Sequence, residues 1–281
     1  MQKKGVLDFQ RMKQEGEQVT WLTAYDYPTA QFEEQAGIDM ILVGDSMGNC
    51  VYGYASGTLP VTMDQCIVHT EAVRRGAPNT FVMGDMPFGS YQTTPEDAVR
   101  SATRFYKEAG VDAVKLEGGR RVTAMIRAIV DAGMVVCGHI GLTPQSTGQF
   151  GGYKAQGRTA ESALEMIKDA RAVQQAGAAF LLLEAVTPEV GQFITKDLGI
   201  PVYSIGAGPH CDGQLLIVSD VLGLWEAFKP KFVKRYANMA QESVQAIQSY
   251  AADVRAGRFP EDVHCYKMIE GEAEKLKALL E

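Results

Sequence analysis

The chain has 281 residues, 46% of them apolar and 22% charged, which suits a substantial buried core and excludes a disordered or fibrous chain. Lysine and arginine number 27 against 34 aspartates and glutamates, and the formal charge of -7 leaves no broad basic surface to hold a nucleic-acid backbone. Met1 to Asp8 lacks the apolar stretch of a secretory signal, and no run approaches the roughly 18 apolar residues that span a bilayer, so a cytoplasmic protein without membrane partners is expected.

Taken in chain order, short apolar runs recur at Val19 to Ala24, Met40 to Val43, Phe81 to Met83, Ala113 to Leu116, Met134 to Cys137, Phe180 to Leu183, Val202 to Ile205 and Leu215 to Val218. Each is too short for a helix and too uniformly apolar for a strand with one wet face. The pattern therefore predicts strands of a parallel sheet covered on both sides. Helical segments lie between them. Thr62 with Gln65 reads as a capping box, Thr94-Pro95-Glu96-Asp97 as an N-cap with a proline and acids in the first turn, and Thr187-Pro188 as the same device. Glycines at 37, 76, 110, 133, 177 and 199 stand where each helix should turn through a left-handed residue into the next strand.

Repetition of this unit predicts a closed (β/α)8 TIM barrel. The step from Ser204 to Ile217 is too short for a full helix, so the last unit must be abbreviated. An open doubly wound sheet would carry a GxGxxG turn after its first strand, yet Thr23 to Pro28 contains no glycine. No linker or low-complexity tract divides the chain, which predicts one barrel domain over 1–281 with a helical tail from about residue 262. The five cysteines (50, 66, 137, 211, 265) form no CxxC pair and the four histidines (69, 139, 210, 264) no HxxxH pair. Reduced thiols are expected, and zinc hydrolysis is disfavoured.

In a barrel the chemistry sits where strands end and βα loops begin. The second strand ends in Gly44-Asp45-Ser46, the third in Gly84-Asp85, the fourth carries Lys115 and Glu117, the fifth ends in Gly138-His139 and the sixth in Glu184. Any one of these can cap a helix. Asp45, Asp85 and Glu117, however, come from three successive strands, where unpaired carboxylates would resist ionising together. A hard cation such as Mg²⁺ would relieve this, since the donors are all oxygen. Lys115 is either a counterion to these acids or a cation for a substrate carboxylate or oxyanion. Schiff-base chemistry would need its pKa lowered, against the pull of the neighbouring acids. Glu184 closes an apolar run that can raise its pKa toward that of a general base, or it belongs to a buried ion pair. His139, expected across the rim from the metal strands, is either a core histidine or a substrate hydrogen-bond donor. Gly206-Ala207-Gly208 is a tight turn or an anion-binding nest.

These segments resemble one family closely. Leu42-Val43-Gly44-Asp45-Ser46-Met47-Gly48, Asp85-Met86-Pro87-Phe88-Gly89-Ser90-Tyr91, Val114-Lys115-Leu116-Glu117-Gly118-Gly119, Cys137 to Gln145, Phe150 to Arg158, Leu183-Glu184 and Ile205 to Gly208 followed by Asp212-Gly213-Gln214 resemble ketopantoate hydroxymethyltransferase in order and spacing. The resemblance runs from about Thr23 to Pro260. It implies a (β/α)8 barrel that transfers a hydroxymethyl group from 5,10-methylenetetrahydrofolate to 3-methyl-2-oxobutanoate. It also implies magnesium at Asp45 and Asp85, with Glu117 reaching it directly or through water, oxo-acid contacts at Ser46 and Lys115, and Glu184 as proton acceptor. His139 joins Asp45, Ser46, Asp85 and Lys115 as a candidate substrate contact. A symmetric homo-oligomer, often a decamer, is implied as well, and the apolar segment Leu224 to Phe228 is either a subunit contact or a cover for the barrel bottom. Folate contacts in the Asn49 to Tyr54 loop stay open.

The nearest alternative is the phosphoenolpyruvate mutase and isocitrate lyase group, whose barrels also bind an oxo acid or its enolate on Mg²⁺. The chain has no KKCGH-like loop with a catalytic cysteine. A barrel that only binds or senses an oxo acid is a further alternative, and it predicts binding without proton exchange.

Overall fold

A computed structural model describes residues 3–150, 152, 154–224 and 230–281, without the side chains of 149 and 150. Its elements in chain order are α1 (Val6–Glu15), β1 (Val19–Thr23), α2 (Tyr27–Ala36), β2 (Met40–Val43), α3 (Met47–Cys50), α4 (Met63–Gly76), β3 (Phe81–Asp85), α5 (Pro95–Arg104), β4 (Ala113–Glu117), α6 (Thr123–Asp131), β5 (Val136–Gly141), α7 (Thr147–Phe150), α8 (Ala160–Gln175), β6 (Phe180–Glu184), α9 (Pro188–Asp197), β7 (Val202–Ile205), β8 (Gly213–Leu216), α10 (Val218–Leu222), α11 (Met239–Arg255) and α12 (Glu272–Leu280). The strands pair in sequence order, all parallel, and β8 closes onto β1, giving the expected (β/α)8 barrel. No helix connects β7 to β8, as the short step required.

Side chains alternate along each strand between two cores. Residues such as Trp21, Leu42, Met83, Ala113, Phe180 and Tyr203 fill the barrel, while Val43, Val82, Val114, Leu116, Leu181 and Leu183 face the surrounding helices. The N-terminal helix α1, which the strand pattern did not reveal, closes the barrel opposite the strand C-termini. Its fully buried Phe9 sets its ring edge-on to Phe81 at 5.2 Å and to Phe180 at 5.9 Å.

The Thr62–Gln65 capping box forms, and Thr94 Oγ1 accepts the Asp97 amide. Thr187 makes no such cap. Its hydroxyl donates to Gly157 O instead, leaving Pro188 alone to start α9. Gly37, Gly110, Gly133 and Gly177 take positive φ as expected, but Gly76 and Gly199 do not. Gly76 lies inside the last turn of α4, where a Cβ would come 2.4 Å from Tyr27 O, so its role is the close approach of α2 to α4. The strand expected at Met134 to Cys137 runs instead over Val136–Gly141, and the one expected at Leu215 to Val218 over Gly213–Leu216.

Glu33 on the packed side of α2 is 4% exposed, and neither of its carboxylate oxygens has a hydrogen-bond partner. Burial, with a smaller push from Asp26, raises its pKa to about 9. The unfolded chain ionises this group near the ordinary value of 4.5 and the folded chain does not, so its contribution to stability is complete below that pH and is lost progressively as pH rises through 9. At pH 7 the loss is of order 3 kcal/mol. Glu33→Leu is therefore expected to flatten the decline of denaturant stability between pH 5 and pH 8. An unchanged pH dependence would show that Glu33 is solvated.

From residue 262 onward the chain is exposed, with α12 as its helix. α11, which the sequence did not signal, also buries no residue, and Val244, Ile247, Tyr250 and Val254 recur along its exposed surface at helical spacing. Most of the Leu224 to Phe228 segment lies outside the described residues, as do Gly151 and Tyr153 of the Phe150 to Arg158 motif. Among the described residues, no helix is long and apolar enough to cross a membrane.

Candidate active site

β4 builds the centre of the rim. Ala113, Lys115 and Glu117 alternate inward between Val114 and Leu116, and the lateral registry sets Asp85 beside Lys115 and Glu117 beside His139. Lys115 Nζ is 2.8 Å from Asp85 Oδ1 and 3.7 Å from Glu117 Oε1, with all three side chains buried. Burial opposes the ammonium charge, but Asp85, Glu117 and Asp45 outweigh it and hold the Lys115 pKa above the ordinary lysine value. An amine kept protonated in this way is unsuited to Schiff-base attack.

Asp45 follows β2, and its backbone N–H donates to Asp85 Oδ2 at 3.1 Å. Burial raises the carboxyl pKa of Asp45, Asp85 and Glu117 alike, and for Asp45 the repulsion of Glu117 adds to it. Asp85 Oδ1 and Glu117 Oε1 are buried and accept no well-aligned hydrogen bond, although the ammonium stands close to both. Two buried carboxylates from neighbouring strands that share a single ammonium keep an excess of negative charge, which suits a hard divalent cation. Among the described residues, no three acidic, cysteine or histidine side chains converge into a finished metal cage.

His139 is not across the rim. It lies inside β5, with Nδ1 3.2 Å from Lys115 Nζ and 3.4 Å from Glu117 Oε1, and Nε2 3.2 Å from Glu184 Oε2. The ammonium has only hydrogens to offer, which assigns Nδ1 as acceptor and puts the ring proton on Nε2, facing Glu184. Burial and then the Lys115 charge lower the His139 pKa, keeping the ring neutral. Glu184 ends β6 with its side chain 15% exposed. Burial raises its pKa, and His139 opposes the rise.

Ser46 immediately precedes the short α3, and its hydroxyl is 2.8 Å from Tyr25 OH. The Tyr25 carbonyl in turn meets His69 Nδ1 at 2.5 Å, and His69 Nε2 meets Tyr52 OH at 2.8 Å, which ties Ser46 to the Asn49–Tyr54 loop. Two site residues carried no strand-end signal. Tyr91 accepts the Glu117 N–H at 3.0 Å and donates to Gln145 Oε1 at 2.7 Å. Gln145 Nε2 donates to Asp45 Oδ2 at 2.8 Å. Both stand inside the quoted motifs, Tyr91 ending one and Gln145 another, but only the closed barrel brings them to the carboxylates. Gly206 and Gly208 form a turn closed by Ala207 N–H donating to Ser204 Oγ.

Comparison with known proteins decides the family. The model of the ketopantoate hydroxymethyltransferase family matches residues 3–262. The chain belongs to this family. It is 62% identical over 272 residues to the 3-methyl-2-oxobutanoate hydroxymethyltransferase of Alkaliphilus metalliredigens (strain QYMF), covering 97% of this chain and 96% of that one. To the protein of the same name from Geobacillus kaustophilus (strain HTA426) it is 51% identical over 269 residues, covering 96% of each. Like other members of the ketopantoate hydroxymethyltransferase family it is a hydroxymethyl-transferring enzyme. In fold it is similar to a phosphonopyruvate hydrolase solved with oxalate and Mg²⁺ (TM-score 0.59, 16% identity, 99% of this chain and 98% of that one). It is likewise similar to 2,3-dimethylmalate lyase, a member of the phosphoenolpyruvate mutase and isocitrate lyase superfamily (TM-score 0.59, 17% identity, 98% and 97%). At that identity the likeness is one of barrel architecture.

Proposed function

We propose that this chain transfers the one-carbon unit of 5,10-methylenetetrahydrofolate to 3-methyl-2-oxobutanoate, giving 2-dehydropantoate for pantothenate synthesis. The observation that carries the reading is near-full-length identity of 62% to a relative named for that oxo acid. The buried rim of Asp45, Asp85, Lys115, Glu117 and His139, with the partly exposed Glu184 beside it, supports it.

The difficult step is removing the proton at C3, beside the ketone. Glu184 takes it, and its raised pKa makes it a stronger base than an ordinary carboxylate. His139 Nε2 stands 3.2 Å from Glu184 Oε2, off a well-aligned hydrogen bond, and its proton does not neutralise the carboxylate, because the ring stays uncharged. Lys115, held charged by its acids, offers its ammonium to the substrate carboxylate, with the Ser46 hydroxyl as a second contact. A Mg²⁺ ion held by Asp45, Asp85 and Glu117 would supply Lewis-acid stabilisation of the enolate charge, worth several kcal/mol. The enolate carbon bonds to the folate methylene carbon once one of its two carbon–nitrogen bonds has opened, and water then displaces the second nitrogen, providing the hydroxyl oxygen and releasing tetrahydrofolate.

We further propose a cytoplasmic homo-oligomer, decameric as the family resemblance implies, acting on small molecules with no nucleic-acid or membrane partner. The exposed apolar surface of α11 and the five free cysteines support this reading. Sedimentation of the purified protein as a monomer would refute the assembly. The activity is tested by incubating the protein with oxo acid, methylenetetrahydrofolate and Mg²⁺ and following 2-dehydropantoate by mass spectrometry. Product formation that needs both substrates is expected. Cleavage of phosphonopyruvate or 2,3-dimethylmalate with no folate-dependent product would move the enzyme to the lyase and mutase chemistry of its fold neighbours.

A further inference from the structure

The carboxylates of the rim share a pattern. Each of the three has one oxygen occupied by a neutral N–H donor: Asp85 Oδ2 by the Asp45 amide at 3.1 Å, Asp45 Oδ2 by Gln145 Nε2 at 2.8 Å, and Glu117 Oε2 by the Gln145 backbone amide at 3.0 Å. Gln145 therefore engages two of the three acids at once, one through its side chain and one through its main chain. It is 5% exposed and sits in the turn after β5, whereas Asp45 follows β2.

The orientation of its amide is chemically determined. Nε2 faces two groups that can only accept, the Asp45 carboxylate and Met86 O at 3.0 Å, so the NH₂ must lie there. Oε1 faces Gln92 Nε2 at 3.0 Å, which can only donate, and Tyr91 OH at 2.7 Å. Tyr91 has a single phenolic hydrogen, and the 2.7 Å contact to Gln145 claims it over the 3.2 Å contact to Glu117 O. All the hydrogen-bonding capacity of the amide is spent, so it cannot flip without losing its contacts to Asp45, Met86 O and Gln92 Nε2. A lysine or arginine in its place would hold Asp45 as firmly but would cancel the charge that a cation needs. A neutral amide orients the carboxylate and leaves that charge intact.

We propose that Gln145 is a positioning residue that fixes the carboxylate of Asp45 for a divalent cation, with Tyr91 locking the amide; this rests on the reading of the rim as a Mg²⁺ site. Side-chain variants leave the backbone donation to Glu117 in place, so they report on the Asp45 arm alone. The test is titration calorimetry of the intact protein with Mg²⁺, without substrate, on wild type, Gln145→Leu, the similarly sized and neutral Gln145→Met, Tyr91→Phe and the Gln145→Leu/Tyr91→Phe pair, with thermal unfolding of each metal-free protein alongside. Loss of the donor is expected to weaken Mg²⁺ binding about 10- to 100-fold in both Gln145 variants. A smaller loss is expected in Tyr91→Phe, and no further loss in the double variant, because the two side chains act as one unit. Gln145 variants that melt earlier yet bind Mg²⁺ within twofold of wild type would reduce Gln145 to a structural residue and overturn the proposal while leaving the cation site standing. Wild-type protein that binds no Mg²⁺ would remove the cation site itself, and the proposal with it.

Discussion

Glu184→Gln should reduce exchange of the C3 hydrogen of 3-methyl-2-oxobutanoate with D₂O by roughly 10²- to 10⁴-fold while oxo-acid binding is preserved. The amide keeps the shape of the carboxylate and an oxygen for His139 Nε2, now 3.2 Å from Glu184 Oε2, but it has no basicity to take a proton. Proton NMR of the substrate in D₂O measures the exchange without the folate, which isolates this step from carbon–carbon bond formation. The pH dependence provides a second reading. The base works deprotonated and burial raises its pKa, so exchange should fall as pH drops through a value above the ordinary glutamate 4.5. Undiminished exchange in the variant would take Glu184 out of this role.

The second large effect concerns Asp85, which has two jobs that separate variants can pull apart. Asp85→Ala leaves the buried Lys115 ammonium without its partner at 2.8 Å, with the next carboxylate 3.7 Å away, and strips the Asp45 amide of its acceptor. Breaking a buried pair in this way should cost about 3–5 kcal/mol of folding stability. Asp85→Asn keeps an oxygen for the Asp45 amide and should recover part of that loss. Neither variant offers a carboxylate to a cation, so both should lose Mg²⁺-dependent binding of the oxo acid, measured by titrating the acid with and without the metal. Binding of equal strength in wild type and Asp85→Asn, unaffected by chelator, would refute a cation at Asp85 that helps to hold the oxo acid. Wild-type stability in Asp85→Ala would show that Lys115 finds other compensation.

The strands most legible in the sequence were those whose apolar runs begin and end abruptly. β2 and β7 coincide with Met40 to Val43 and Val202 to Ile205. β5 and β8 were displaced because glycine reads as a break. Gly138 lies in mid-strand, where an added Cβ would come 2.4 Å from Val173 Cγ1 of α8, and Gly213 opens β8, where one would come 2.4 Å from Val19 O. These glycines permit close approach of a neighbouring element rather than ending a strand. That displacement matters for the site, since a β5 reaching Gly141 carries His139 inside the barrel between Lys115 and Glu184.

Sequence alone was enough to specify a parallel barrel, to select the acids and the lysine at its strand ends, and to point to the family. All three depend on local order along the chain: which residues alternate, which follow an apolar run, and which stand together in a motif. What each of those side chains meets was settled only by barrel closure. Gln145 and Asp45 are a hundred residues apart, yet their side chains meet at 2.8 Å. Tyr91 reaches Glu117 from the loop of another strand, and His139 takes its tautomer from Lys115. Hydrogen bonds need angstrom-scale placement of donor and acceptor, and in this protein that placement is set by the registry of eight strands around a ring.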